Sequence, residues 1–173
     1  MCAKRTQNRD MATNDRTDTE HVPTPIEPLV SHCNAETMTA VQTAFAGADP
    51  ETFEEGFEND FSRQIVALVN QCGTQAVSAI QQCVAAPDVN PDVVAEALRW
   101  LGHIEDAATS DARRLVLESC LSHPSTSVRY AAILGLGYLE DRRSLPALRR
   151  AVDGEKSRAL VSDLRHLIAH WEK

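Results

Sequence analysis

SVRYAAILGLGYLEDRRSLPALRRAV, residues 127–152, decides the fold, because a shorter form of it stands once already upstream. Val128, Ala132, Ile133, Leu136, Gly137, Leu139, Glu140 and Asp141 match Val93, Ala97, Leu98, Leu101, Gly102, Ile104, Glu105 and Asp106. Each pair is identical or apolar-for-apolar, at a constant offset of 35 residues. Apolar residues at helical spacing, then an acidic residue at a turn, then a second helix, repeated at such a period, predict a solenoid of stacked helix pairs. Each pair leaves an apolar face that only its neighbour covers, so the terminal helices need polar outer faces. Residues 155–171 fit that role at the C-terminal end. Leu160, Val161, Leu164, Leu167, Ile168 and Trp171 form one stripe, and Asp163, Arg165, His166 and His170 lie off it.

Outward from the repeat, the rest of the chain reads as all-α. Residues 1–34 are rich in Thr, Asn, Asp, Arg and Pro, and VPTPIEP at 22–28 is an extended, linker-like run, so a disordered N-terminal tail is expected there and Met11 is an alternative start. The solenoid domain is expected over 35–173. Ala40, Val41, Ala44 and Phe45 would share a helical face that ends around Gly47. Asp49-Pro50-Glu51 and Asn90-Pro91-Asp92 each read as N-cap, N1 and N2, since Asp and Asn accept orphan amides and Pro loses nothing at N1. Further helices are predicted over 61–71, 74–85, 90–103, 110–121, 125–139 and 144–154. Ala131, Ala132, Gly135 and Gly137 remove bulk, so this helix should approach its neighbours closely, and Asp106 and Asp141 should cap the turns into the second helices.

Composition bounds the function classes. The 173 residues are 43% hydrophobic and 24% charged, enough for one domain with a sizeable core. No apolar run resembles a membrane span, and the first residues lack an apolar signal core, so a cytoplasmic protein without membrane contact is expected. Five cysteines without CxxC spacing fit neither a disulfide framework nor a zinc knuckle, and Cys72, Cys83 and Cys120 read as small core residues. The net charge of −8 argues against nucleic acid as a partner. That charge is uneven: residues 1–84 hold 5 basic and 12 acidic groups, whereas Arg113 to Arg158 hold nine basic and five acidic.

VRYAAILGLGYLED followed by SLPALRRAV resembles the HEAT-like repeat of phycobilisome bilin lyases and of many bacterial scaffold proteins. The 93–106 copy departs from it, with Val94 where Arg129 stands and Trp100 where Gly135 stands. The resemblance implies a short right-handed α-solenoid of HEAT-like helix pairs, in which second helices line the concave face. It would therefore place Arg113, Arg114, Arg142, Arg143, Arg149 and Arg150 on a groove, and guanidinium is suited to a bidentate grip on carboxylate or phosphate.

Residues that carry chemistry are sparse. Asp163, His166 and His170 fall on one side of the last helix, but no HExxH and no second ligand cluster accompany them, so no metal and no cofactor are expected. His103 and His123 sit at helix ends, where capping suffices to explain them. No GxSxG elbow and no Gly-rich phosphate loop occurs, and no catalytic residue is singled out. The favoured reading is a non-enzymatic scaffold or adaptor that holds another protein, with an acidic segment, against the arginine-lined face. What the resemblance alone offers besides is an accessory, bilin-lyase-like chaperone subunit, or a nucleic-acid binder of the HEAT-like alkylpurine glycosylase kind. Phe53, Phe57 and Phe61 at i, i+4 and i+8 read either as a cap on the solenoid's open first end or as a docking stripe. The acidic run Asp49 to Asp60 around them would either cap that end or fold back on the basic groove. The oligomeric state is left open by the sequence.

Overall fold

The computed structural model describes residues 27–54 and 56–173, with side chains from residue 34 onward; most of the expected tail, residues 1–26, lies outside the described residues. All regular structure among the described residues is helical: α1 (Glu27–Ala46), α2 (Asp60–Cys72), α3 (Thr74–Ala85), α4 (Pro91–His103), α5 (Ser110–Cys120), α6 (Thr126–Leu139), α7 (Leu145–Gly154) and α8 (Arg158–Trp171). Short 3₁₀ turns at Pro50–Thr52, Ala107–Thr109 and Arg142–Ser144 lead into the loops and second helices. The chain is an all-α, HEAT-like solenoid. Helices α2–α3, α4–α5 and α6–α7 are its pairs, and α1 and α8 flank them.

The caps explain most boundaries. Asn90 accepts the Asp92 amide at 2.9 Å and Asp49 that of Glu51 at 3.1 Å, each with Pro at the first helical position. Asp106 and Asp141 accept the amides of Ala108 (2.9 Å) and Arg143 (3.0 Å), so both repeat turns are closed by the same carboxylate. Asn59 and Ser62 form a reciprocal capping box that starts α2. Glu140, in the left-handed region at φ 53°, ends α6, and its amide donates to the Leu136 carbonyl. Two starts differ from expectation. α1 begins at Glu27, upstream of Ala35, because Pro28 falls in the first turn, where its missing amide hydrogen is no loss. α8 begins at Arg158 rather than Glu155, with Ser157 as its cap.

First helices stack on first helices and second on second. α2 packs on α4, α4 along α6 and α6 on α8, while α1 and α5 flank α3. The core runs continuously through Ile65, Ile80, Leu98, Leu101, Leu117, Leu136, Leu148 and Leu164, all fully buried. Burying a side chain of this kind contributes about 1.5 to 3 kcal/mol, so the stack is held by its seams. The tightest seam is α4 on α6. A Cβ on Gly102 would stand 2.4 Å from the Gly135 carbonyl oxygen, and one on Gly135 2.7 Å from the Leu98 carbonyl oxygen. Gly137, expected at such a contact, is half-buried, and a Cβ there would meet only Leu167 at 3.8 Å. At the first end α1 buries Thr37, Val41, Ala44 and Phe45, whereas Ala40 is exposed. Cys83 and Cys120 are buried free thiols and burial pushes both up; Cys72 is half-buried.

Candidate functional site

The six arginines expected on one face divide into three kinds. Arg113 is 1% exposed and is a brace inside the α4–α5 pair. Its Nε donates to Thr109 Oγ1 (3.1 Å), Nη1 to the Leu101 carbonyl (2.7 Å) and Nη2 to the Asp106 carbonyl (2.9 Å). Burial pulls its guanidinium below the ordinary value, and the Asp106 carboxylate opposes that. Buried and bonded through all three nitrogens, Arg113 is out of reach of a partner, which corrects its placement on the groove.

Arg114, Arg143 and Arg149 are engaged with carboxylates. Arg114 donates to Glu118 at 2.7 Å and lies 3.6 Å from Asp141. Arg143 bridges the two repeats, reaching Asp111 of α5 at 2.5 Å and Asp141 at 2.6 Å; both carboxylates raise its pKa, and Asp141 is held below the usual carboxylate value in turn. Arg149 pairs with Glu172 beyond α8 at 2.5 Å. The exposed pairs, Arg143 with Asp111 and Arg149 with Glu172, contribute little to folding but occupy the fork, whereas Arg114 is half-buried with its carboxylates. Arg142 and Arg150 are exposed and have no ion pair among the described residues.

Two polar centres carry no signal that single residues would reveal. Glu96, 1% exposed on α4, accepts Asn59 Nδ2 (2.6 Å) and Trp100 Nε1 (2.8 Å) on one oxygen and Arg99 Nη2 (2.5 Å) on the other. It ties the α2 cap to α4. Arg129, on α6, donates from Nε (2.7 Å) and Nη2 (3.0 Å) to Glu155, and from Nη1 to the carbonyls of His123 and Pro124, both at 2.9 Å. Glu155 also accepts the amides of Lys156 and Ser157, each at 2.8 Å. The Arg129 hydrogen bonds above all hold its carboxyl down at about 2. A depressed carboxyl stabilises the fold above the unfolded value of 4.5, and that contribution is lost as pH falls from there through about 2. The departure of Val94 from Arg129 was the one visible hint of this pair.

Around Arg129 and Glu155 lies a depression of about 490 Å³ between the C-terminal ends of α5 and α7, bordered by Glu118, Leu121, His123, Ala147, Arg150 and Lys156. Its walls come from adjacent second helices. Farther along that row Leu115 is 54% exposed on α5. Leu115 and Arg150 are equivalent under the 35-residue offset.

The phenylalanines do not form one stripe. Phe61 is buried with its ring edge-on to Phe45 at 5.3 Å, and Phe53 stacks on Phe61 at 5.8 Å, but Phe57 is 68% exposed. Gly56, at φ 84°, and the Asn59 cap break the helix that their spacing suggested. The acidic run is thereby fixed at both ends near α1 and α2: Asp49 caps a turn and Asn59 is bonded to Glu96. His103 stacks between Trp100 (5.1 Å) and Tyr138 (3.7 Å), and loss of water around the ring lowers its pKa. His123 Nδ1 accepts the Ser125 amide at 3.1 Å, closing the α5–α6 turn. His166 lies 3.5 Å from Ser162, and no group of His, Cys, Asp and Glu among the described residues could hold a metal ion. No helix among them is long and apolar enough to cross a membrane.

No curated protein and no solved structure matches the chain. A family match is found for the repeat region, and it is to HEAT repeats at large, without extending to the phycobilisome-lyase type. Residues 79–162, from the middle of α3 into α8, match the family model of HEAT repeats, in keeping with the HEAT-like stacked pairs described above.

Proposed function

We propose that this chain is a non-enzymatic scaffold or adaptor that holds another protein against the face formed by its second helices, α3, α5 and α7. HEAT repeats generally serve as protein-interaction scaffolds. The observation that carries the reading for this chain is the pair Leu115 and Arg150, a large apolar side chain and a cation without an ion pair, exposed at equivalent positions of adjacent second helices. An exposed leucine on one second helix and an unspent guanidinium at the equivalent place on the next supply an anchor and a charge for a partner. Adjacent helix axes lie about 8 to 10 Å apart, so an extended partner segment would span the two in about three residues.

Of the arginines first expected there, Arg142 and Arg150 remain available, and Arg143 and Arg149 would have to exchange their present carboxylates for those of a partner. The net charge of −8 and this pairing count against nucleic acid, whose continuous phosphates favour a broadly basic surface. The reading is tested by Leu115→Glu and Arg150→Glu in the full chain. Each should abolish recovery of the protein that the wild type captures reproducibly, with little change in melting temperature, because both side chains are exposed. Full recovery by both variants would overturn it.

A further inference from the structure

Most basic side chains of the described residues are spent within the chain. Arg63, Arg99, Arg114, Arg129, Arg143 and Arg149 lie in ion pairs, and Arg113 is internal. The remainder, Arg142 and Lys173 apart, are gathered in one place. Arg150, Lys156, Arg158 and Arg165 border two adjoining depressions where α7 passes into α8. The second depression, about 380 Å³, lies over the first turns of α8, and Glu155 and Lys156 border both.

The carboxylates at this corner are already taken. Glu155 is covered by Arg129 and two backbone amides, and Glu118 by Arg114 and the Ser144 hydroxyl (2.7 Å). Asp153 and Asp163 stand on the same two helices but line neither depression. Four cations from three successive elements thus converge on a concave surface with no free anion in it. Its floor is stiffened by the Arg129–Glu155 pair, which pins the α7–α8 loop to α6.

We propose that this corner is a docking site for a short acidic peptide segment of a partner protein. The inference rests on the scaffold reading and names the chemistry of what that face would hold. Charge complementarity carries it: unopposed guanidinium and ammonium groups at close range attract carboxylates, and Arg adds bidentate geometry. Leu121, Ala147, Ala151 and Val161 provide apolar wall between the cations, which suits a peptide with aliphatic residues among its acids. A nucleic-acid strand extending past the corner would meet Asp153 and Asp163. The chain's own acidic run, tied to α1, α2 and Glu96, is held elsewhere.

The test is fluorescence anisotropy on the full chain with a labelled acidic octapeptide of Glu, Asp and Leu, and with a thymidine oligonucleotide as competitor. Saturable peptide binding that weakens at least about tenfold in Arg158→Glu/Arg165→Glu is expected, with less than about twofold change in Arg63→Glu/Lys173→Glu, which alters net charge equally but away from the corner. Matching circular dichroism melts would show that both doubles are folded. Absence of wild-type binding, equal weakening in the two doubles, or tighter binding of the oligonucleotide than of the peptide would overturn the proposal. Loss of the captured protein partner in Leu115→Glu but not in Arg158→Glu/Arg165→Glu would remove the corner while leaving the scaffold reading in place.

Discussion

The pairs α4–α5 and α6–α7 share a frame and differ in what they bury. Each turn is capped by an aspartate, Asp106 or Asp141, followed by one 3₁₀ turn whose last residue, Thr109 or Ser144, is buried. Inside the frame, Glu96, Trp100 and Arg113 stand where Ala131, Gly135 and Leu148 stand 35 residues later. The first pair buries a carboxylate and a guanidinium with full sets of partners, while the second buries small or apolar residues at the same places. On the outside the asymmetry reverses: Leu115 of the first pair corresponds to Arg150 of the second. The repeat therefore sets backbone turns and helix contacts, whereas polar interior and surface are written separately in each copy. Roles do not transfer along the offset.

The largest effect should come from the seam both copies share. Gly102→Ala puts a methyl group within 2.4 to 2.9 Å of Gly135 backbone atoms, and backbone cannot rotate away as a side chain can. α4 and α6 must separate, which should cost about 3 kcal/mol or more, at or above the usual overpacking range. A denaturant melt within about 0.5 kcal/mol of wild type, the level of a neutral surface change, would mean that α4 and α6 do not meet there.

Next comes the residue that most separates the two interiors. Arg113→Leu installs in the first pair what the second already has in Leu148. If the pairs were interchangeable, the change would be neutral or stabilising. Here it strands the buried Leu101 carbonyl, while Thr109 Oγ1 and the Asp106 carbonyl keep the hydrogen bond between them, so a loss of about 1 to 3 kcal/mol is expected in thermal or urea melts. Protein capture by the folded variant should be unchanged, because no part of this guanidinium reaches the surface.

How much of this was readable in the sequence follows from the range of the interactions. Caps such as Asn90-Pro91-Asp92 and Asp141 act over two residues, and the helices they open fall at or within a residue of the expected positions. The stripe on α8 was readable for the same reason, since a helix repeats its own pattern. Arg113 was not, because its burial depends on the Leu101 carbonyl, 12 residues away on another helix. The Arg129–Glu155 pair spans 26 residues and a whole helix pair, and Lys156, Arg158 and Arg165 come together only through the α7–α8 corner. The aromatic spacing misled for a local reason: Gly56 and Asn59 end helical continuity between Phe53 and Phe61.

The smallest effect, and the sharpest on the comparison, is at Gly137. The offset aligns Gly137 with Gly102, and equal roles would make both intolerant of a methyl group. In space each glycine faces the next helix of its row, Gly102 meeting the Gly135 backbone of α6 and Gly137 only a side chain of α8, so the equivalent positions differ in how closely that neighbour approaches. Gly137 lies within α6 at ordinary helical backbone angles, and a Cβ there would touch only Leu167 Cδ1 at 3.8 Å, an ordinary contact. Replacing a helical glycine by alanine removes unfolded-state freedom worth about 0.5 to 1 kcal/mol, so Gly137→Ala should be stabilising by up to that amount. Opposite signs for Gly102→Ala and Gly137→Ala in the same melt series are expected if α6 closes on Gly102 while α8 leaves room at Gly137. Losses at both positions would mean that α8 approaches Gly137 as closely as α6 approaches Gly102, and the two seams would then be alike.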